Sequence, residues 1–367
     1  MLRIFLVDDE PPARARMRQL LAEERDVLVI GEAADAIEAR DAIATSRPDV
    51  VFLDIEMPEV SGTALAQSLP EPRPFVVFAT AFDRYAIDAF ALEATDYLVK
   101  PITRARLSTT LARIRERLSR RTDLERELAA ASAVQAALLP RTIPHMPGLD
   151  GAAVTLPARG VGGDFLVAQK LSDQRVVLAL GDVSGKGMPA GLVASSLQAR
   201  LETVARHTHS PAHEVVAEVN RTLCTSAEGG RFATLVYLEI DPTEREITLV
   251  NAGHLAPLLI QSDQSTRSYE STGPALGLLP DATFEKHRFA MPVNATLFAY
   301  SDGVTEAFNA AGEEFGDARL VSVVSARIHD PAAKLCRIVI DAVRRHAGTQ
   351  AGDDITVLAL RARSSNL

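Results

Sequence analysis

The chain contains no tryptophan, and aromatic residues make up only 5% of it. Few side chains are available to stack on unpaired bases, so a single-strand nucleic-acid platform is poorly supplied. Cysteine is nearly absent: Cys224 and Cys336 lie far apart and in no ligand spacing. That excludes a disulfide scaffold and a cysteine-based zinc site, and it predicts a reducing compartment. Positive charge is in deficit, with 39 Lys+Arg against 48 Asp+Glu and a formal net charge of -9. Such a balance does not suit a general nucleic-acid-coating role. No apolar run approaches the roughly 18 residues needed to cross a bilayer. The opening run at residues 1–7 is apolar apart from Arg3 and stops at Asp8-Asp9-Glu10, which marks a strand end and not a signal peptide. The expectation is a cytoplasmic protein with neither nucleic-acid nor membrane partner. What is present is ordinary for globular domains: 47% hydrophobic and 24% charged residues over 367 positions. At about 100–200 residues per domain, that length accommodates two domains or three small ones.

The first ~120 residues alternate strand and helix patterns. Short apolar runs at 4–7, 27–30, 50–53 and 75–79, with a weaker one at 97–99, suit strands buried on both faces. Helix-like stretches at 13–24, 37–45, 62–69 and 84–92 lie between them. This βα alternation predicts a doubly wound parallel α/β sheet, with any active site beyond the carboxyl ends of the strands.

A charged helical pattern without Gly or Pro follows at 104–139. Leu107, Leu111, Ile114 and Leu118 repeat at heptad-like spacing. Leu124, Leu128, Ala131 and Leu138 continue the series one residue out of phase, with the break at Arg120-Arg121-Thr122-Asp123. The stretch predicts a coiled-coil-like connector that makes a homodimer, against the alternative of a helix packed on its own domain. Pro140, Pro144 and Pro147 close it. The rest is β-rich, with strands expected at 152–156, 175–181, 232–240, 246–251, 256–261, 296–301 and 355–361. Helices are expected at 189–206, 211–226, 318–327 and 331–346. Strand blocks with segregated helices predict a layered α+β domain of packed sheets. The expected division is 1–118, a connector over 119–147, and 148–367.

Four strand ends in the first region carry polar punctuation: Asp8-Asp9, Asp54, Thr80 and Lys100. Any one Asp is most often a turn or cap residue. In a parallel sheet all four ends share one side, and converging carboxylates suit Mg²⁺. A neighbouring lysine neutralises a phosphoryl group. Val7-Asp8-Asp9-Glu10, Leu53-Asp54-Ile55-Glu56-Met57-Pro58, Thr80-Ala81 and Lys100-Pro101 together resemble the response-regulator receiver family over residues 1 to about 118. The resemblance implies that a sensor histidine kinase phosphorylates Asp54 and that Mg²⁺ is held by Asp8, Asp9, Asp54 and Glu56. It implies that Thr80 and Lys100 contact the phosphoryl group and that Tyr97 is the switch aromatic. The 82–102 stretch looks most like receivers fused to LytTR DNA-binding domains. A phosphoryl group adds about 1.5–2 negative charges, enough to hold Thr80 and Lys100 inward and bias a two-state surface.

The distal region has its own acidic punctuation: Gly162-Gly163-Asp164-Phe165, Gly181-Asp182-Val183-Ser184-Gly185-Lys186-Gly187, Asn251-Ala252-Gly253-His254, Ser301-Asp302-Gly303 and Gly352-Asp353-Asp354. Asp-Gly pairs are usually turns. Several Asp at strand ends, with few His and no Cys nearby, suit Mg²⁺ or Mn²⁺. Two such ions about 3.5–4 Å apart activate a water and clamp a phosphoryl group. As a set the motifs resemble the SpoIIE-type branch of the protein phosphatase 2C-like (PPM) family from about Glu125 to Arg361, a layered α-β-β-α fold. The resemblance implies that Asp182 bridges two ions, with the Val183 carbonyl also coordinating, and that Asp302 and Asp353 are further ligands. Asp164 would act through a coordinated water, and Asp354 would support the site. Two positions depart from the family pattern. Val167 stands where a further Asp is common, and Ser184 replaces the His of eukaryotic relatives. His254 is a lesser candidate, since a His closing a turn is more often structural.

The resulting expectation is a two-component response regulator whose output is metal-dependent dephosphorylation of a phosphoserine/phosphothreonine protein. The resemblance points to a phosphorylated STAS-type anti-sigma-factor antagonist as substrate. The alternative from another class is a catalytically silent binding adaptor, which Val167 keeps open. A DNA-binding regulator is disfavoured, because no basic recognition helix is evident in the distal region.

Overall fold

Runs such as Val50–Leu53 have no polar face, and they form strands covered on both sides. The computed structural model describes residues 1–81, 94–158, 160–226, 230–348 and 352–363. The chain divides into two units, Met1–Leu124 and Glu125–Leu367.

In the first unit, β1 (Leu2–Val7), β2 (Val27–Ala33), β3 (Val50–Leu53), β4 (Phe75–Thr80) and β5 (Asp96–Val99) form a parallel sheet in the order β2-β1-β3-β4-β5. Helices α1 (Pro11–Ala22), α2 (Ala36–Ser46) and α3 (Gly62–Ser68) join them. Asp35 caps α2 by accepting the Ile37 and Glu38 N–H groups at 2.9 and 2.8 Å, the pairing expected of an N-cap aspartate. The helix expected at 84–92 lies outside the described residues. Alternation along each strand divides the core. Phe5, Val7, Val51, Leu53 and Phe78 pack with α2 and α3. Ile4, Leu6, Phe52 and Val77 pack with Met17, Leu20 and Leu21 of α1.

Helix α4 (Arg104–Leu138) is one 35-residue element. Its Leu107, Leu111 and Ile114 are buried in the α1-side core, and Leu118 packs at the edge of it. Half of the heptad-like series is therefore absorbed by the first unit's own core and is closed to a second copy. Asp96 fastens this half: it accepts from Arg106 at 2.6 Å and from the Thr110 hydroxyl at 2.7 Å. Further along, Leu124, Val134 and Leu138 are exposed.

The second unit holds two antiparallel five-stranded sheets. One contains β6 (Leu149–Leu156), β11 (Leu258–Ile260), β12 (Thr266–Ser268), β14 (Thr296–Tyr300) and β15 (Ile355–Ala362), in the order β12-β11-β14-β15-β6. The other contains β7 (Phe165–Ser172), β8 (Arg175–Val183), β9 (Ala233–Asp241), β10 (Glu246–Ala252) and β13 (His287–Ala290), in the order β13-β10-β9-β8-β7. Val176, Leu178 and Leu180 of β8 face Leu297, Leu358 and Leu360 between the sheets. Val177 and Ala179 face outward beneath α5 (Met188–His207) and α6 (Ala212–Ser226). On the opposite side, Phe298, Val357 and Ala359 lie beneath α8 (Gly316–Ser325) and α9 (Ala332–Ala347). The four layers are α-β-β-α, as expected, and each fully buried Leu or Val contributes about 1.5–3 kcal/mol. A four-residue helix, α7 (Asp302–Thr305), follows β14. Among the described residues no helix is long and apolar enough to cross a membrane.

Candidate functional sites

The first site forms where β1, β3, β4 and β5 end side by side. Asp8 and Asp54 are buried and Asp9 is half-buried. One carboxylate oxygen from each lies within 4.8 Å of the others, the one group of possible ligands gathered so closely among the described residues. Lys100 Nζ stands 2.7 Å from both Asp8 Oδ2 and Asp54 Oδ2. Burial pushes the Asp8 carboxyl up against the pull of Lys100. Burial also opposes the Lys100 charge, but Asp54 and Asp8 outweigh it and hold the ammonium above its ordinary value. The Thr80 hydroxyl is buried and has no hydrogen-bond partner, a costly state for a polar group unless something else fills it. Glu56 is exposed beside Asp54, whose Oδ1 accepts the Glu56 N–H at 3.3 Å. Tyr97 is half-buried at the edge of the α2-side core. An all-oxygen ligand set, an adjacent ammonium and an orphaned hydroxyl fit a hard cation and a phosphoryl group.

The second site lies at the ends of both sheets of the second unit. Asp182 comes from β8 of one sheet; Asp302 follows β14, and Asp353 and Asp354 precede β15 in the other. Asp182, Asp302, Asp353 and Asp354 line a cleft of about 550 Å³ with Gly163, Ser184, Lys186, Phe232 and Thr234. Burial drives the Asp182 carboxyl up to about 7, and the charges of Asp302 and Asp353 add to the rise. Asp302 is raised for the same reasons, burial first and Asp353 second. Asp164 is buried, with Oδ2 lacking a partner. Burial and the Asp182 charge hold it well above the carboxylate range, although the Thr356 and Ser301 hydroxyls work the other way. Mutually repelling carboxylates around a cleft form a donor set that suits hard divalent cations; Asp164 is not among the cleft-lining residues, and only its Oδ2 lacks a hydrogen-bond partner.

Gly162 and Gly163 are explained by crowding. A Cβ on Gly162 would fall 2.0 Å from Asp354 Oδ2, and one on Gly163 would fall 2.7 Å from Asp182 Oδ1. The α4 side chain Gln135 clamps the same loop, accepting the Gly162 N–H at 3.0 Å and donating to the Gly162 carbonyl at 2.7 Å. Val183, whose carbonyl lies against Gly163, ends β8.

The candidate His254 and the departure Val167 lie apart from this chemistry. His254 is buried, with Nδ1 2.7 Å from Thr234 Oγ1 and Nε2 3.1 Å from the Tyr300 carbonyl. Both ring nitrogens are thus occupied within the fold, and burial drives its pKa down to about 4. Val167 is buried in the apolar layer under α5 and α6 and does not line the cleft. Lys186, in the Gly181–Gly187 motif, has no role among the sequence-based expectations. Lys186 Nζ stands 2.7 Å from Asp353 Oδ2.

The family described as "Stage II sporulation protein E (SpoIIE)" matches residues 172–363, and "Response regulator receiver domain" matches residues 4–112. The chain belongs to the SpoIIE family. Its first unit is a response-regulator receiver. The transcriptional regulatory protein BtsR of Escherichia coli K12 is 50% identical over 121 residues, 33% of this chain and 51% of that protein. This chain thus spans about half the length of that relative. A response regulatory protein of Vibrio vulnificus, VV1_0503, is 36% identical over 209 residues, 57% of this chain and 77% of that protein. Among solved structures, the SiaA-PP2C domain of Pseudomonas aeruginosa superposes with a TM-score of 0.58 at 19% identity, covering 66% of this chain and 98% of that one. The RsbU and RsbW domains of Rv1364c from Mycobacterium tuberculosis give 0.52 at 30% identity, covering 62% and 63%. The SpoIIE-family region thus has the PP2C phosphatase fold.

Proposed function

We propose that this SpoIIE-family response regulator removes phosphate from phosphoserine or phosphothreonine on a partner protein, under control of phosphorylation at Asp54. The observation that carries the reading is the meeting of Asp182 with Asp302 and Asp353 from the opposite sheet, with Asp182 driven up to about 7 by burial and like charge. Such a set is stable as a carboxylate cluster only when cations neutralise it.

In this reading Asp182, the Val183 carbonyl, Asp302 and Asp353 would hold two Mn²⁺ or Mg²⁺, and Asp164 would act through a coordinated water. Ions bound there supply water activation and charge neutralisation at the phosphoryl group. Asp354 is a positioning residue that ties the Gly163 loop to the β15 end. Ser184 is engaged with Phe232, whose N–H it accepts at 3.0 Å, and no protein group is assigned as general acid. In the receiver, Asp8, Asp9, Asp54 and Glu56 hold Mg²⁺, a sensor histidine kinase is the phosphodonor, and Thr80, Lys100 and Tyr97 respond. The domains run 1–118, 119–147 and 148–367. The substrate is a phosphorylated STAS-type antagonist in a sigma-factor switch, a reading supported by the likeness to an RsbU domain that shares its chain with an RsbW domain. The exposed Leu124, Val134 and Leu138 of α4 support homodimerisation through the C-terminal part of the connector. The compartment is the cytoplasm.

Mn²⁺-dependent hydrolysis of an aryl phosphate and of candidate phospho-antagonists by the full chain tests the activity. Asp182→Asn should abolish both; retained hydrolysis would refute the assigned centre. Regulation is tested by comparing rates with and without a phosphoryl mimic at matched oligomeric state, and equal rates would refute it. The alternative is a catalytically silent binding adaptor, which Val167 keeps open; absence of Mn²⁺-dependent hydrolysis by the full chain would favour it.

A further inference from the structure

Lys186 is the one cation among the described residues lining the carboxylate cleft. The phosphatase reading so far gives it no task. It sits on a turn between Gly185 and Gly187, whose φ angles are 95° and 73°. A Cβ at Gly187 would meet nothing within 4 Å, so backbone conformation and not close packing calls for glycine there. The turn presents the lysine side chain to the cleft, where Nζ reaches Asp353 Oδ2 at 2.7 Å and donates to the Gly352 carbonyl at 3.2 Å. The lysine side chain is 69% exposed and that of Asp353 40%. An exposed pair of this kind adds little to stability, so stability gives a weak account of a cation placed here.

The local charge balance gives a stronger one. Asp353 faces Asp302 and Asp182, each of which is raised partly by its charge. The Lys186 ammonium supplies positive charge at Asp353. Asp353 would hold a divalent ion in the proposed centre, and that ion would supply the same neutralisation and leave the ammonium unengaged by Asp353. On its largely exposed side chain the ammonium would then be available to a dianion that enters the cleft. Lysine is a compact, strongly charged donor, suited to phosphoryl oxygens as a point charge.

We infer that Lys186 binds the phosphoryl group of the substrate, and that its ammonium stands in for a metal ion on Asp353 until one binds. This rests on the phosphatase reading. Arg344 lines a smaller cavity of about 150 Å³ that shares Lys186, Gly352 and Asp353 with the main cleft, and it does not line the main cleft itself.

The test uses the full chain with Mg²⁺, Mn²⁺ and inorganic phosphate. Calorimetric titration of phosphate into the Mg²⁺-loaded chain should show at least tenfold weaker binding in Lys186→Gln, with Lys186→Arg restoring most of it. KM for a phosphoprotein should rise by a similar factor. Titration of Mn²⁺ into the metal-free chain should show threefold or greater tightening in Lys186→Gln, since no ammonium must be displaced. Unchanged phosphate affinity, a loss that Lys186→Arg does not repair, or unchanged Mn²⁺ affinity overturns the inference. If these fail while Asp182→Asn still abolishes hydrolysis, the phosphatase reading stands without Lys186. If Asp182→Asn remains active, the reading itself has failed, and the inference with it.

Discussion

Asp354 accepts the Gly163 N–H at 2.8 Å across 191 residues of sequence, and its other oxygen accepts the Ala158 N–H at 2.8 Å. The carboxylate is buried, so these bonds hold the Gly162–Gly163–Asp164 loop against the start of β15. Asp354→Ala strands two donors, at about 1–3 kcal/mol each if they stay dry. A lowered melting temperature together with reduced hydrolysis is expected from thermal unfolding and rate measurements. An unchanged melting temperature would remove this role.

Gly163→Ala places a methyl 2.7 Å from Asp182 Oδ1 and 2.8 Å from the Val183 carbonyl. The Val183 carbonyl is backbone and cannot swing aside, so the loop or the β8 end must shift. The expected result is metal affinity weakened at least tenfold by calorimetry, with a stability loss of roughly 1–3 kcal/mol.

Asp182 brings a stability penalty to the metal-free chain. Its folded value near 7 lies above the ordinary 3.8, so the folded state holds its proton more tightly than the unfolded state does. Stability therefore falls as pH rises from about 4 to about 7. In EDTA at pH 7.5, Asp182→Asn should melt roughly 2–4 °C higher than the parent while losing hydrolysis. A lower melting point would contradict the repulsion argument.

His254 gives the opposite slope. Its folded pKa near 4 lies below the ordinary 6.5, so only the unfolded chain gains a proton between those values. The resulting destabilisation is absent above about 6.5 and grows as pH falls towards 4, reaching on the order of 3 kcal/mol. Denaturant unfolding of His254→Gln and parent at pH 7.5 and 4.5 should show a smaller acid loss in the variant. Equal losses would mean that His254 is not the source.

In the receiver, Lys100→Met leaves Asp8 and Asp54 facing each other without the ammonium that stands 2.7 Å from both. A loss of roughly 2–4 kcal/mol is expected. Labelling from a small-molecule phosphodonor should be abolished by Asp54→Asn and reduced by Lys100→Met. Undiminished labelling of Asp54→Asn would place the acceptor elsewhere.

The receiver sheet and the α-β-β-α layering were legible because their strands are dense apolar runs bounded by Asp, Gly or Pro. Strand β7 was missed because Gln169 and Lys170 interrupt its apolar start. Strands β12 and β13 were missed because they are short edge strands with exposed positions. The α4 leucines were ambiguous for a physical reason: a helix buried along one stripe and a coiled-coil seam share nearly the same spacing. Only the packing of Leu107, Leu111 and Ile114 on α1 distinguishes them. The candidate acidic residues were visible as strand-end punctuation. The ion pair of Lys186 and the grip of Asp354 on Gly163 were not, because each joins residues more than 160 positions apart.

The cleft carboxylates are divided between two sheets, Asp182 on one and Asp302, Asp353 and Asp354 on the other. Neither sheet can assemble the centre alone, so a nascent or half-denatured chain offers only scattered acidic residues. Proofreading would be built into that division: under the proposed function, only molecules in which both halves of the sandwich have closed would erase a phosphate signal.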